Sequence, residues 1–271
     1  MIPSFRRRNT RGGPLIVAEI EIFKLFLLVV ARFGGLMASA PILGSANIPV
    51  VAKVGLTGLS AMLITPLLPA LAEPLPAHDV AFALMASSEF LIGLAMGFVM
   101  TLVFGAIQVA GQIMDLQTGF GMVNVFNPAL ETQFPIFGFF LFILAVLYLL
   151  VLGGHLVMIR ALVASYEHIP VGGFVVRPAL LYEVGRWGQA LFVDGLMVAA
   201  PVVTAMLLAY VTMGLLGRVI PQIHLLVVGF PITIATGLFL TAFMLGVYFQ
   251  VLDGMFFRMF RDVETLMRGM G

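Results

Sequence analysis

The chain contains no cysteine, which excludes disulfides, thiolate catalysis and cysteine-ligated metals. Charge is scarce as well: 10% of the 271 residues are charged, against roughly 25% in a typical soluble domain. Lys24 and Lys53 are the only lysines, and a formal net charge of +1 gives no global attraction for nucleic acid. No Gly-Lys-Ser or Gly-Lys-Thr occurs, so there is no Walker A loop to hold a nucleotide. Gly119-Phe120-Gly121 is followed by Asn124 where a dinucleotide fingerprint needs a third glycine. His78, His155, His168 and His224 are scattered outside any His-Glu-x-x-His arrangement, and no Gly-x-Ser-x-Gly elbow is present. The chemistry that is missing points away from an enzyme, a metal site or a bound cofactor.

What remains is 61% hydrophobic, with apolar runs recurring from the first thirty residues to the last thirty and no polar domain between them. An all-α membrane protein follows, with about six hydrophobic segments: Ile20 to Ala40, Pro49 to Leu71, Val80 to Met114, Pro135 to Ile159, Trp187 to Gly217, and a sixth reaching Gln250. The proline breaks also allow short re-entrant hairpins in place of straight crossings. Residues 1–19 read as a basic arm carrying Arg6, Arg7, Arg8 and Arg11, too short in apolar sequence for a cleaved signal peptide. Residues 20–252 form the helical membrane domain. Residues 253–271 place Phe256, Phe260, Val263, Met267 and Met270 at helical spacing, an amphipathic tail suited to a lipid surface or a partner. Arg160, Arg177 and Arg186 mark the longest polar interruption and favour a cytoplasmic face.

The stretch from Gln108 to Pro128 changes the character of the chain, because it joins two uncharged runs yet combines mobility with apolar surface. Gly119 and Gly121 free the backbone, while Phe120, Met122, Val123, Val125 and Phe126 are groups that water excludes; Asn127 and Pro128 close the stretch. Irregular backbone at membrane depth must be buried in protein or line a cavity. A loop of this kind, flanked by Gln108, Gln112 and Gln117, either plugs a conduit or simply packs on neighbouring helices.

Several positions invite partner or packing contacts. Arg32, mid-way along an apolar run, reads as a snorkelling or ion-paired residue, or as a contact to a partner or transported species. Gly93-x-x-x-Gly97 lets helix backbones approach closely. Asp194 reads as the partner of an arginine or as a residue near an interface, in preference to a proton relay. Asp115, His155 and Arg218 stand at ends of segments.

Motif order then adds a resemblance. Arg32-Phe-Gly-Gly35, Ala40-Pro-Ile-Leu-Gly-Ser45 with Ile48-Pro49, the stretch Gln108 to Pro128, Gly154-His155, Ser165-Tyr-Glu-His-Ile-Pro170, Ala200-Pro201, and Gly214-Leu-Leu-Gly-Arg218 with Pro221-Gln222 follow one another across nearly the whole chain. In that order they resemble the FliR family of flagellar export proteins, whose injectisome relatives form the SctT group; the chain departs in having His224 where the family usually has asparagine. The resemblance implies an export-gate subunit of a type III secretion apparatus in the bacterial inner membrane. It implies assembly with FliP and FliQ, association with FlhB and FlhA, and passage of unfolded flagellar proteins. It also implies that the loop from Asp115 to Pro128 is the plug of the closed channel, and that hairpins are partly raised out of the bilayer. A small-solute secondary transporter would require paired broken helices in two repeated halves, which are not seen; an assembly scaffold that does not gate is the other alternative.

Overall fold

The computed structural model describes residues 13–68, 75–76, 78–120, 135–220 and 225–271, with side chains described from residue 19 onward and, in the seventh helix, from residue 228. Among these residues the chain is helical, without a strand: α1 Gly13–Ser39, α2 Val50–Ile64, α3 Asp79–Thr118, α4 Ile136–Val151, α5 Gly154–His168, α6 Ala179–Val219, α7 Leu225–Phe243 and α8 Leu245–Met270. A short 3-10 turn, Thr65–Leu67, ends α2 where Pro66 interrupts it.

Helix α3 is the axis, with α1, α4, α6 and α8 packed around it. At 40 and 41 residues, α3 and α6 are each roughly 60 Å long, about twice a hydrocarbon core of roughly 30 Å. Among the described residues three helices are long and apolar enough to cross a membrane, α2 with its 3-10 turn, α3 and α6, and up to five spans result if each bent pair counts as one. The pairs are α4–α5, bent by 67°, and α7–α8, bent by 60°. By length and composition the described residues thus offer three to five crossings, fewer than the six hydrophobic segments.

Boundaries shift for physical reasons. Helix α3 runs through Gln108, Gln112 and Asp115 to Thr118, so that part of the stretch expected to be linker is helix. No proline occurs there, and the cost of the single Gly111 is offset because Gly111, Met114, Asp115 and Thr118 form a buried face. Most of the polar interruption after Arg160 is helical too, because Met158, Leu162, Ser165 and Tyr166 form a buried stripe on α5 while its charges lie outside that stripe. The bend in the last hairpin falls at Met244, well beyond Pro231, which is accommodated inside α7.

The amphipathic tail finds its partner within the chain. Met255, Phe256, Met259, Val263, Leu266, Met267 and Met270 of α8 are buried in the common core. Segment 169–178 pins the end of α8, with Val175 N donating to Met270 O and Arg177 N to Gly269 O, both at 3.0 Å.

Glycines set the tightest contacts. A Cβ on Gly93 would overlap the Arg32 carbonyl and stand 2.8 Å from Leu36 N, one on Gly97 would stand 2.6 Å from Ala40 N, and one on Gly35 would stand 2.7 Å from Leu94 N. The α1 and α3 backbones therefore touch along this line. Ser39 Oγ, donating 2.8 Å to Leu94 O, and Thr101 Oγ1, donating 2.6 Å to Ser39 O, tie the upper end of the same seam.

Candidate functional site

Where α3 ends, four helices converge on a few backbone atoms. The Asp115 carboxylate, buried at 5% exposure, accepts from Phe137 N at 3.2 Å and Gly138 N at 3.4 Å. These are two of the amides that the first turn of α4 leaves without an intrahelical acceptor, and the positive end of the helix favours the carboxylate there. Pro135, the residue before α4, supplies no side-chain cap, so Asp115 does so from across the hairpin. The approach is close because Gly111 and Gly138 stand in contact, with no room for a Cβ on Gly111.

The departing chain is held from the other side. Tyr210 of α6 donates its hydroxyl proton to Gln117 O. Thr233 of α7 donates 2.9 Å to Thr118 O, and Gly237 leaves room for the Thr118 side chain. Gly119 then turns into the left-handed region at φ 90°, with the Phe230 ring 2.9 Å from where its Cβ would be. Phe120 packs edge-on against Phe137 at 5.5 Å. This neck fixes residues 119 and 120 against α4 and α7. Gly119→Ala combines left-handed strain of roughly 1–2 kcal/mol with a clash on Phe230, so it is expected to lower the thermal midpoint of the detergent-solubilised chain. A midpoint equal to that of the native chain would contradict this neck.

A second polar centre lies toward the opposite end of α3. Arg32, fully buried, bonds through Nε to Glu89 Oε2 at 2.6 Å, through Nη1 to Ser165 Oγ at 2.9 Å and through Nη2 to Ile169 O at 3.1 Å. Its guanidinium stands 4.0 Å from the Tyr166 ring centroid. The other Glu89 oxygen accepts from Gly172 N at 2.9 Å. The centre joins α1, α3, α5 and the segment after α5, and every polar arm of Arg32 has a partner.

The family model described as "Bacterial export proteins, family 1" matches residues 23–259. The chain belongs to this family of bacterial export proteins. Flagellar biosynthetic protein FliR of Escherichia coli (strain K12) is 36% identical over 223 residues, covering 80% of this chain and 83% of that protein. FliR of Bacillus subtilis (strain 168) is 27% identical over 255 residues, 93% of this chain and 98% of that protein. FliR of Pectobacterium carotovorum subsp. carotovorum is 34% identical over 207 residues, 76% and 78% of the respective chains. Membership supports a role in flagellar protein export for a membrane-associated chain.

In this export protein the structure brings Asp115, Gly119 and Phe120 together at the neck, and Arg32, Gly93 and Gly97 together on the α1–α3 seam. Gln108 and Gln112 are exposed one turn apart on α3, with Leu116 exposed one turn further on. His155 is half-buried at the start of α5, its Nδ1 without a hydrogen-bond partner. Arg218 is exposed in the last turn of α6. Gly121, Met122, Val123, Val125, Phe126, Asn127 and Pro128 lie outside the described residues, as do the basic arm up to residue 12 and Pro221, Gln222 and His224. Sequence reasoning did not find Tyr210, Phe230 and Thr233 at the neck. They sit on apolar helices far along the chain, and no local pattern distinguishes a threonine that bonds another helix from one that bonds its own. Asp194 pairs with Arg258 at 2.8 Å.

Proposed function

We propose that this export protein is a subunit of the flagellar type III secretion export gate, lining and closing a conduit for unfolded flagellar proteins across the bacterial inner membrane. The observation that carries the reading is the neck: α3, α4, α6 and α7 together hold Gly119 and Phe120, which immediately precede the apolar stretch in sequence. Anchoring of this kind suits a seal, which must stay in register with the conduit it closes. Phe120, Met122, Val123, Val125 and Phe126 would exclude water and ions from a pore by presenting apolar groups. The exposed amides of Gln108 and Gln112, on the helix that leads to the neck, would face a passing polypeptide with uncharged donors and acceptors.

Apolar surface left open by the fold supports assembly with other subunits. Val50, Val51 and Val54 on α2 and Leu207, Leu208, Val211 and Leu215 on α6 are all exposed, more than scattered single residues would account for. FliP and FliQ are proposed to cover part of it in a hetero-oligomeric gate joined by FlhB and FlhA, with membrane lipid covering the rest. The chain itself performs no covalent chemistry in this account.

The reading is tested by placing a photo-crosslinking residue at Gln108, at Gln112 and, as a lipid- or partner-facing control, at Val51, in cells whose export is arrested with a substrate inside the apparatus. Crosslinks from 108 and 112 to the substrate, and none from 51, are expected. Crosslinks from 108 and 112 to other subunits alone would remove α3 from the conduit wall.

A further inference from the structure

Helices α4 and α8 are fastened by large apolar side chains: α4 buries Phe137, Leu141 and Leu149, and α8 buries Leu252, Met255, Phe256 and Met259 among others. The end of α6 and helix α7 are not. In α6 the last buried residue is Met206, and from Leu207 to Val219 every residue is exposed or half-buried. The buried residues of α7, among its described side chains, are Thr233, Gly237 and Thr241, a stripe one turn apart that carries nothing larger than threonine. Leu240, half-buried, packs on the core. The two pieces pack on each other, with Met213 against Gly229. A segment with so few buried apolar contacts is among the first to part from its neighbours.

What this arm grips is one place. Among the described residues, the hydrogen bonds that tie it to the rest of the bundle run from Tyr210 to Gln117 O and from Thr233 to Thr118 O. Gly237 lies against the Thr118 side chain and the Phe137 ring, and Phe230 lies against Gly119. The grip therefore falls on three successive residues at the end of α3. It is also easily undone: the Thr233 hydroxyl has a second acceptor in its own helix, Phe230 O at 3.1 Å, and Gly237 has no side chain to withdraw. Both roots of the arm are weak points of their helices. At Met244 the axis bends by 60° between α7 and α8, and Pro201 removes a ladder bond of α6 five residues before Met206.

We infer that residues 207–219 and helix α7 form a movable arm that clasps the end of α3 and, during export, swings away from it about Met244 and Pro201, releasing Gln117, Thr118 and Gly119. The α4 side of the neck, where Asp115 bonds Phe137 N and Gly138 N, stays in place while the arm moves. The part played in export rests on the reading of the neck as a gate; the swing itself is a property of the arm and is measured separately.

The chain has no cysteine, so an introduced pair supplies its only thiols. Spin labels on Phe239→Cys of α7 and Phe257→Cys of α8, both well exposed, report the separation of arm and core by double electron–electron resonance in the full chain purified with the subunits that accompany it. Two distances are expected. Thr233→Val and Tyr210→Phe should each raise the share of the second relative to the first by about fivefold, the contribution of one neutral hydrogen bond. A single narrow distance that neither substitution alters would overturn the arm. A lock then tests its part in export. A Cβ on Gly237 would stand 3.3 Å from Thr118 Cβ, close to the roughly 3.5–4.5 Å of a disulfide, so Thr118→Cys/Gly237→Cys should crosslink on oxidation. Oxidised cells should stop exporting flagellar protein and resume on reduction, with the reduced variant as its own reference. Export that continues with the crosslink complete would overturn the arm's release as a step of export. Failure of the gate reading would show instead as a tight complex after loss of residues 119–124, an ion-leak result on which the distances do not depend.

Discussion

Arg32→Met is expected to abolish accumulation of the folded chain in membranes, the largest effect of any single side-chain change considered. The substitution leaves Glu89 buried with only Gly172 N as a partner, and leaves Ser165 Oγ and Ile169 O without the guanidinium they share. Breaking one half of a buried ion pair costs about 3–5 kcal/mol, comparable to much of the roughly 5–15 kcal/mol that holds a domain folded. Lysine is not a conservative replacement, because three separate nitrogens of Arg32 reach three partners in fixed directions and an ammonium cannot reproduce that fork. Arg32→Lys should therefore lie between the native chain and Arg32→Met. The double change Arg32→Met/Glu89→Leu should recover part of the loss, since it removes the stranded carboxylate. Membrane abundance, with thermal unfolding in detergent for variants that accumulate, provides the measurement. Native-like abundance of Arg32→Met would show that the pair is dispensable.

Gly93→Leu is expected to be nearly as damaging, for a steric reason that feeds into the same centre. The missing Cβ of Gly93 faces the carbonyl of Arg32 itself, so any side chain there pushes on the backbone that positions the guanidinium. Overpacking costs about 1–3 kcal/mol where neighbours can adjust, and here the neighbour is backbone. Gly34 provides the control, one residue from the seam on α1. Nothing lies within 4 Å of a Cβ built on it, so Gly34→Ala should be neutral or stabilising by roughly 0.5–1 kcal/mol, the helical preference of alanine over glycine. Opposite signs of the two midpoint shifts are the expected result. A destabilising Gly34→Ala together with a tolerated Gly93→Leu would contradict the packing of α1 on α3.

How far the sequence reveals this molecule depends on whether a feature is local. Apolar runs, the Gly93-x-x-x-Gly97 spacing and the glycine after Thr118 are local patterns, and helices, a close seam and a chain exit are found at them. The ordered motifs lead to the family for a different reason: each is weak, but their succession spans most of the chain. What stays hidden is pairing at long range. Asp115 bonds an amide 22 residues on, Arg32 and Ser165 meet across 133 positions, and Thr233 reaches Thr118 across 115. Nothing in the neighbourhood of those residues encodes the partner. Charge also misleads where it lies on one face, as on α5, whose buried stripe of Met158, Leu162 and Tyr166 is masked in composition by Arg160, Glu167 and His168.

Whether the apolar stretch after Gly119 seals a conduit is decided by ion leak across membranes that contain the assembled complex, comparing the native chain with one lacking Gly119 to Asn124. A tight native complex and a large leak confined to the deletion are expected, with accompanying subunits still co-purifying. A deletion that assembles and stays tight would contradict it, and would leave the neck as a packing feature of the subunit.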